Sequence, residues 1–285
     1  MLRELARAKV NLDLLVTGRR PDGYHELDSL VAFADFGDEL TIESSTDLTL
    51  ELTGPFAAGL CAGEDNLVLR AARKLAAVTG IHPIARLRLD KQLPVAAGLG
   101  GGSADAAAAL RGLRRHWRLP LDDAALAEIG LGLGADVPVC LLSRPVRMRG
   151  IGELIEPMLG LPELNLLLVN PGCPLATAAV FRELSLSAIG PRSVEFPSAP
   201  GLDWLARSRN VLEFPARGLL QDIGVVLTAL AGIPGCRLAR MSGSGATCFG
   251  LFDKPAQAKW AAATIARDHP NWWVVACVVG TAICG

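Results

Sequence analysis

The sequence predicts a mixed α and β protein in two domains, and three observations carry that expectation. Apolar and polar residues alternate at 5–13, 41–52 and 84–90, the pattern of half-buried strands. An alanine-rich run with high helical propensity follows a glycine cluster near residue 100. Glycine and proline gather at 155–162, and 285 residues accommodate two domains of about 150 residues each. The expected cut gives domains 1–157 and 158–285.

In residues 5–13, Arg7, Lys9, Asn11 and Asp13 fall on one side of a strand and Ala6, Ala8, Val10 and Leu12 on the other. A turn follows at 18–23, with strand-like stretches at 41–43 and 48–52. Asn66 is the candidate N-cap of a helix that ends near Gly80. After a strand at 84–90, LPVAAGLGGGSADAAAAL at 93–110 reads as strand, glycine loop and helix start. Glycine suppresses helix as far as Gly102, and alanine favours it from Ala104 on. A short helix is expected at 122–129, a strand at 164–170, a helix at 177–184 and a loop at 185–201. A helix at 217–231 and strands at 248–252 and 272–279, around a helix at 255–267, complete the chain.

Composition excludes several function classes. The chain carries 28 basic and 29 acidic residues, so its total charge suggests no polyanionic partner. Hydrophobic residues make up 51%, ample for a core. Arg3, Glu4, Arg7, Lys9 and Asp13 interrupt every early apolar run, so no signal-peptide core is expected there. The apolar stretches at 164–169 and 272–284 are shorter than the ~20 residues that span a bilayer. Seven cysteines, at 61, 140, 173, 236, 248, 277 and 284, include no CxxC unit, and buried reduced thiols in a cytoplasmic protein are expected rather than a zinc site or disulfides.

Four segments carry chemistry. In the glycine loop at 98–103, successive backbone amides can converge on an anion at the positive end of the following helix, and the Ser103 hydroxyl can meet a phosphate or Mg²⁺. No Gly-Lys-Ser/Thr follows, so it is not a Walker A loop, and Ser103 stands where a dinucleotide fingerprint needs its third glycine. Lys9 and Asn11 share the polar side of the first strand, where a lysine is ordinarily just solvated. Asp136, in LGADVP at 133–138, is either a turn or N-cap aspartate or a general base for a hydroxyl proton. MSGSGAT at 241–247 is either a tight hairpin turn or a loop, with Ser242, Gly243, Ser244 and Gly245, that supports the first glycine loop.

The order of these segments resembles the GHMP kinases: a lysine strand, PxxxGLGGGSA, GADVP and SGSGAT, through nearly the whole chain. AKVNL at 8–12, RPDGYH at 20–25, DNL at 65–67 and GLGADVP at 132–138 are most similar to the branch of that superfamily whose acceptor is a cytidylyl sugar alcohol. The resemblance implies an α+β GHMP kinase fold: a ribosomal protein S5 domain 2-like N-terminal domain, a ferredoxin-like C-terminal domain and a cleft between them. It implies ATP and Mg²⁺ as cofactors and phosphorylation of the 2-hydroxyl of 4-diphosphocytidyl-2-C-methyl-D-erythritol, in the non-mevalonate route to isoprenoid precursors. Lys9 and Asp136 match the catalytic pair. Pro94, Val95, Ala96, Ala97, Gly98, Leu99, Gly100, Gly101, Gly102, Ser103 and Ala104, with Asn66, match the ATP site. Asn11, Tyr24, His25, Asp136 and Thr177 match the acceptor site, Tyr24 and His25 holding the cytosine. Ser103 is the candidate Mg²⁺ ligand. The partners implied are small molecules, with no nucleic acid and no membrane, and the working unit is a monomer or weak homodimer.

One position departs from the resembling proteins. They often show an Asn-Asp-Leu/Cys-Glu run before the penultimate helix, and here Val211 replaces the acid in the run that ends at Glu213, so this stretch is given no catalytic role. Three rival readings remain. A mevalonate or homoserine kinase has no base to stack on Tyr24. A Rossmann oxidoreductase needs an acid after a second strand, whereas Asp122 opens a helix. A catalytically dead sensor has no need of both Lys9 and Asp136.

Overall fold

The structure, a computed structural model, describes residues 1–191 and 195–280. Cys284 and the end of the apolar 272–284 stretch lie outside the described residues, as do three positions of the 185–201 loop. The first part of the chain runs β1 (Leu2–Asn11), β2 (Leu15–Arg19), β3 (His25–Glu43), β4 (Leu48–Thr53), α1 (Leu67–Thr79), β5 (Ala85–Asp90), α2 (Gly101–His116), α3 (Asp123–Leu131) and α4 (Val137–Leu142). There follow β6 (Val146–Gly150), β7 (Leu154–Pro157), β8 (Leu164–Asn170), α5 (Thr177–Arg182), α6 (Leu202–Arg207), α7 (Glu213–Leu219) and α8 (Asp222–Gly232). The chain closes with β9 (Cys236–Met241), β10 (Cys248–Phe252), α9 (Pro255–Asp268) and β11 (Trp273–Val279).

Local signals set the clearest boundaries. Asn66 Oδ1 accepts the Val68 amide at 3.0 Å and opens α1, and Gly80, left-handed at φ +69°, closes it. Asp122 Oδ1 accepts the Ala125 amide at 2.8 Å and opens α3, which removes the acid that a Rossmann reading would need. Other expectations are corrected. Helix α2 begins at Gly101, inside the glycine run, because the left-handed Gly100 ends the loop and the next two glycines take helical geometry in the first turn. The helix expected at 217–231 is two, α7 and α8, separated where Leu220 is extended. Strands β2, β6, β7 and β9, most of β3 and helices α4 and α6 were not foreseen, and the strand expected at the start of 93–110 is loop, the strand ending at Asp90.

The chain divides into two compact units. The first comprises Met1–Ala8, Phe36–Val95 and Gly100–Ser143, and the second comprises Lys9–Asp35, Ala96–Leu99 and the chain from Arg144 onward. This division differs from a single cut at 157/158. Both β1 and β3 give part of their length to each unit, and a strand's pairing partners are not written in its own alternation.

In the first unit, β4 pairs parallel with β5, and β5 pairs antiparallel with the 39–43 portion of β3. Alternation is clean in β5, with Ala85, Leu87 and Leu89 buried and Arg86 and Arg88 exposed. Helix α2 buries a run of alanines, and a Cβ at its Gly112 would lie 2.4 Å from Ile42 Cδ1, so small residues let the helix sit close on the sheet.

In the second unit, β11, β8, β10 and β9 lie side by side and antiparallel. With helices between β8 and β9 and between β10 and β11, this is the βαββαβ order of a ferredoxin-like layer. Helices α8 and α9 pack on it over Leu167, Val169, Val226, Leu230, Ala261 and Ile265. Among the described residues no helix is long and apolar enough to cross a membrane. The six described cysteines are all free thiols; Cys140, Cys248 and Cys277 are buried as expected, whereas Cys61 is exposed.

Candidate active site

The glycine loop is curled by three left-handed residues in alternation: Ala96 at φ +52°, Gly98 at +74° and Gly100 at +64°. Alternating hands turn successive amides toward one side, the geometry of an anion nest. The first intrahelical bond of α2 runs from the Ala104 amide to Gly100 O at 2.9 Å. The amides of Gly101, Gly102 and Ser103 therefore have no acceptor within the helix and carry its positive end. Pro94, Ala97 and Leu99 are buried, and Val95, Ala96 and Gly102 are exposed.

Within the second unit, the 96–99 segment is bound on two sides. The Lys9 amide donates to Leu99 O at 2.9 Å, and the Thr247 amide donates to Ala97 O at 3.1 Å. Ser242 Oγ donates to Gly98 O at 3.1 Å and accepts the Asn11 amide at 3.0 Å. The segment at 242–247 is the hairpin turn between β9 and β10, closed by the Ser242 amide on Thr247 O at 2.9 Å, and it also packs against the first glycine loop. The segment is thus a hairpin turn that also contacts the first glycine loop.

Lys9 is 5% exposed, which removes the reading of a solvated strand lysine. Asn11, 1% exposed, donates from Nδ2 to Ser29 Oγ at 2.7 Å, and Ser29 in turn donates to Asp13 O at 2.5 Å. Thr177 opens α5 and its hydroxyl lies 2.8 Å from Ser244 Oγ, which joins the supporting loop to a predicted acceptor residue.

In the first unit, Asp136 occupies the N-cap position of α4, yet its side chain makes no capping bond; only its carbonyl serves the helix, accepting the Cys140 amide at 3.2 Å. Ser103 is the third residue of α2 and half-buried. The Asn66 side chain is engaged at both ends, capping α1 and donating to Cys61 O at 3.1 Å.

The Tyr24–His25 turn joins β2 to β3. Asp22 Oδ1 accepts the Tyr24 amide at 3.1 Å, and Arg20 N donates to Tyr24 O at 2.7 Å. The Tyr24 ring is 61% exposed, so it does not cap the hairpin. The His25 ring stacks on Phe181 with centroids 5.0 Å apart, a partner that sequence separation concealed. Burial, and then the charge of Arg19, hold the His25 imidazole below its ordinary pKa, which favours the neutral ring with one donor and one acceptor.

Comparison with known proteins gives the family of the chain. The family models for the GHMP kinases N terminal domain and the GHMP kinases C terminal match residues 66–144 and 203–270. A 4-diphosphocytidyl-2-C-methyl-D-erythritol kinase of Cereibacter sphaeroides is 53% identical over 96% of this chain and 98% of its own. This chain belongs to the 4-diphosphocytidyl-2-C-methyl-D-erythritol kinase family of GHMP kinases. The Parvibaculum lavamentivorans kinase of the same family is 52% identical over 97% of this chain and 98% of its own. A crystal structure of a 4-(cytidine 5'-diphospho)-2C-methyl-D-erythritol kinase matches with a TM-score of 0.83 at 36% identity, over 99% of this chain and 100% of that one. A mevalonate kinase structure, at 11% identity and a TM-score of 0.69 over 99% and 100% of the two chains, shares the fold.

As a member of this kinase family the chain uses ATP as phosphoryl donor, and its departure at Val211 acquires a physical account. Val211 is buried in the apolar cluster under α7 and α8, and its amide donates to Leu14 O at 2.9 Å. Its neighbours do work that sequence reasoning missed. Asn210 Nδ2 donates to Met241 O at 2.9 Å and Gly243 O at 2.8 Å, and its Oδ1 accepts the Leu212 amide at 3.0 Å. Glu213 Oε2 accepts the Met241 amide at 3.1 Å. Buried Arg240 donates to Leu12 O at 2.7 Å and Leu205 O at 2.8 Å. The signal available in advance was an asparagine and an acid three apart in an otherwise apolar run. Asn210→Ala is expected to destabilise the protein by about 2–3 kcal/mol, because two buried carbonyls and one amide lose their partner. Urea denaturation measures it, and a change under about 0.5 kcal/mol would mean that other groups or water hold the loop.

Proposed function

We propose that this chain transfers the γ-phosphoryl group of ATP to the 2-hydroxyl of 4-diphosphocytidyl-2-C-methyl-D-erythritol, a step toward isoprenoid precursors. The observation that carries the reading is the loop at 96–100, wound left-handed at alternate residues ahead of the free first-turn amides of α2. ATP phosphates are bound there, by amides of 98–103, while 242–245 back the loop. Asp136 accepts the proton of the acceptor hydroxyl. What supports this is the order of motifs shared with the family, in which GADVP places a carboxylate at the start of α4. Lys9, a buried cation at the end of β1, is assigned to the same step by the order of the motifs alone, and a cation there opposes the charge that develops on the transferring group. Phosphoryl transfer asks the protein for little covalent chemistry, so positioning and electrostatics carry the rate.

Mg²⁺ neutralises phosphate charge when bound. Ser103, half-buried as the third residue of α2, is the residue that would hold it beside the phosphates. The cytosine lies on the open Tyr24 ring, with His25 addressing its hydrogen-bonding edge and Phe181 fixing the imidazole plane. Stacking of a base on an aromatic side chain is worth about 1–3 kcal/mol. Asn11 and Thr177 line the acceptor side. The substrates are water-soluble and small, consistent with a cytoplasmic enzyme.

A coupled ADP-release assay with Mg-ATP and the cytidylyl acceptor, beside mevalonate and homoserine, tests the reading. Release with the cytidylyl compound alone is expected; turnover of either other alcohol would discard the cytosine pocket. Tyr24→Ala is expected to raise the KM for the acceptor about 10-fold, the middle of the stacking range, and that for ATP much less. Equal effects on both would remove Tyr24 from the acceptor site.

A further inference from the structure

A buried ionic cluster in the first unit lies outside every role given above. Lys91, Asp38 and Asp105 are 4%, 0% and 4% exposed. Lys91 Nζ donates to Asp38 Oδ2 and, at 2.7 Å, to Asp105 Oδ2. Asp38 Oδ1 accepts the amides of Gln92 at 2.6 Å and Leu93 at 2.8 Å. Asp105 sits in the second turn of α2, and its Oδ1 is buried with no hydrogen-bond partner. A Cβ on Gly101 would come to 3.7 Å from Lys91 Nζ and 3.8 Å from Asp38 Oδ2, so the cluster lies against the first residue of the helix.

Two carboxylates share one ammonium here. Burial alone would lower the Lys91 pKa, but Asp105 and Asp38 outweigh it and hold the ammonium above its ordinary value. Burial drives the Asp105 carboxyl the other way from an ordinary ion-paired acid, up to about 8. An arrangement of this kind is a poor way merely to hold elements together, since an apolar plug of similar volume does that as well or better. What an ionic cluster adds is direction: hydrogen bonds fix atoms at set distances. The atoms fixed here are the two ends of the phosphate loop. Asp38, from β3, holds the chain just before Pro94, and Lys91 connects that point to Asp105, one turn into α2.

Resting on the reading that residues 94–104 bind ATP phosphates, we propose that Asp38, Lys91 and Asp105 are positioning residues that set the span of the phosphate loop and so the aim of its first-turn amides. The expected consequence is selective. Disturbing the cluster weakens nucleotide binding and leaves acceptor binding alone, whereas a purely structural cluster would change only the melting temperature.

Lys91→Met, which keeps the length of the side chain and removes its charge, is expected to weaken ATP binding, measured by titration calorimetry without acceptor, at least about 10-fold, the loss expected when one amide no longer reaches a charged phosphate oxygen. The KM for ATP should rise in step and the KM for the acceptor should not. Asp105→Asn, close in shape and still offering Lys91 an acceptor, should show a smaller change in the same direction, and it serves as the test if Lys91→Met does not fold by circular dichroism. A folded variant of either kind with wild-type ATP affinity and KM overturns the proposal, as does an equal rise in both KM values. If the wild-type chain binds ATP but does not phosphorylate the cytidylyl acceptor, the reading of function fails, while the ratio of variant to wild-type ATP affinity still decides this one.

Discussion

Asp136→Asn is expected to cut kcat by at least about 10²-fold with ATP binding kept, because general-base assistance contributes about 10²–10⁴-fold. The substitution exchanges one oxygen for an NH₂ and leaves the backbone bond from Cys140 to the carbonyl of residue 136 intact. Helix α4 should not notice, since the Asp136 side chain does not cap it. The contribution of helix capping to the melting temperature should therefore be unchanged, and calorimetry should return a similar ATP affinity. The loss then lies in the chemical step, because an amide cannot take the hydroxyl proton. Full turnover in the variant would take Asp136 out of the role of base. A matched fall in kcat and in melting temperature would make it a structural residue instead.

Gly98→Ala should be the most damaging single methyl in the phosphate loop. Gly98 sits at φ +74°, where any other L-residue is strained by about 1–2 kcal/mol. A Cβ there would lie 2.5 Å from Ser242 O and 2.8 Å from Gly245 O, both backbone atoms that cannot swing aside. Overpacking of this kind adds about 1–3 kcal/mol. The variant is expected to lose about 2–5 kcal/mol of stability and to push 96–99 away from 242–247, with ATP affinity falling as the loop opens. Gly102→Ala is the control, because its Cβ would meet the end of a flexible side chain, Leu67 Cδ1, at 3.3 Å, at a position with helical backbone. Urea denaturation and ATP titration on both variants make the comparison. A Gly98→Ala protein as stable as Gly102→Ala would mean that the two loops part without cost.

Much of the fold was legible because its signals are local. Helix α1 was bracketed correctly by an asparagine that caps and a glycine that turns left-handed. Strand β8 was visible as a mostly apolar run, buried throughout except at Asn165. Helix α2 was placed two residues late, since propensity scores glycine as a helix breaker whereas in a first turn the helix makes few demands on it. Strand β6 escaped because it is only five residues long, although Val146 and Met148 alternate with Arg147 and Arg149; strand β9 escaped because Arg240 breaks its alternation and is held inward by backbone carbonyls. A charged residue counted as exposed breaks the alternation that a reader looks for.

The candidate site divides in the same way. The glycine loop and the serine-glycine hairpin stand out in the sequence, because a phosphate site needs glycines at close spacing, whereas Lys9, Asp136 and the Tyr24–His25 turn become legible only through the order of motifs that resembles the family. What supports those residues does not stand out. Phe181 against His25, Asn210 and Glu213 under the hairpin, and Asp38 with Lys91 and Asp105 at the ends of the loop are joined across 14 to 156 residues of chain. Sequence by itself determined the chemistry and the family of this protein, through short motifs in a fixed order. Only the tertiary structure decided which buried polar groups hold those motifs in place, because a hydrogen bond between distant residues requires that both be satisfied in space, and no local pattern records with whom.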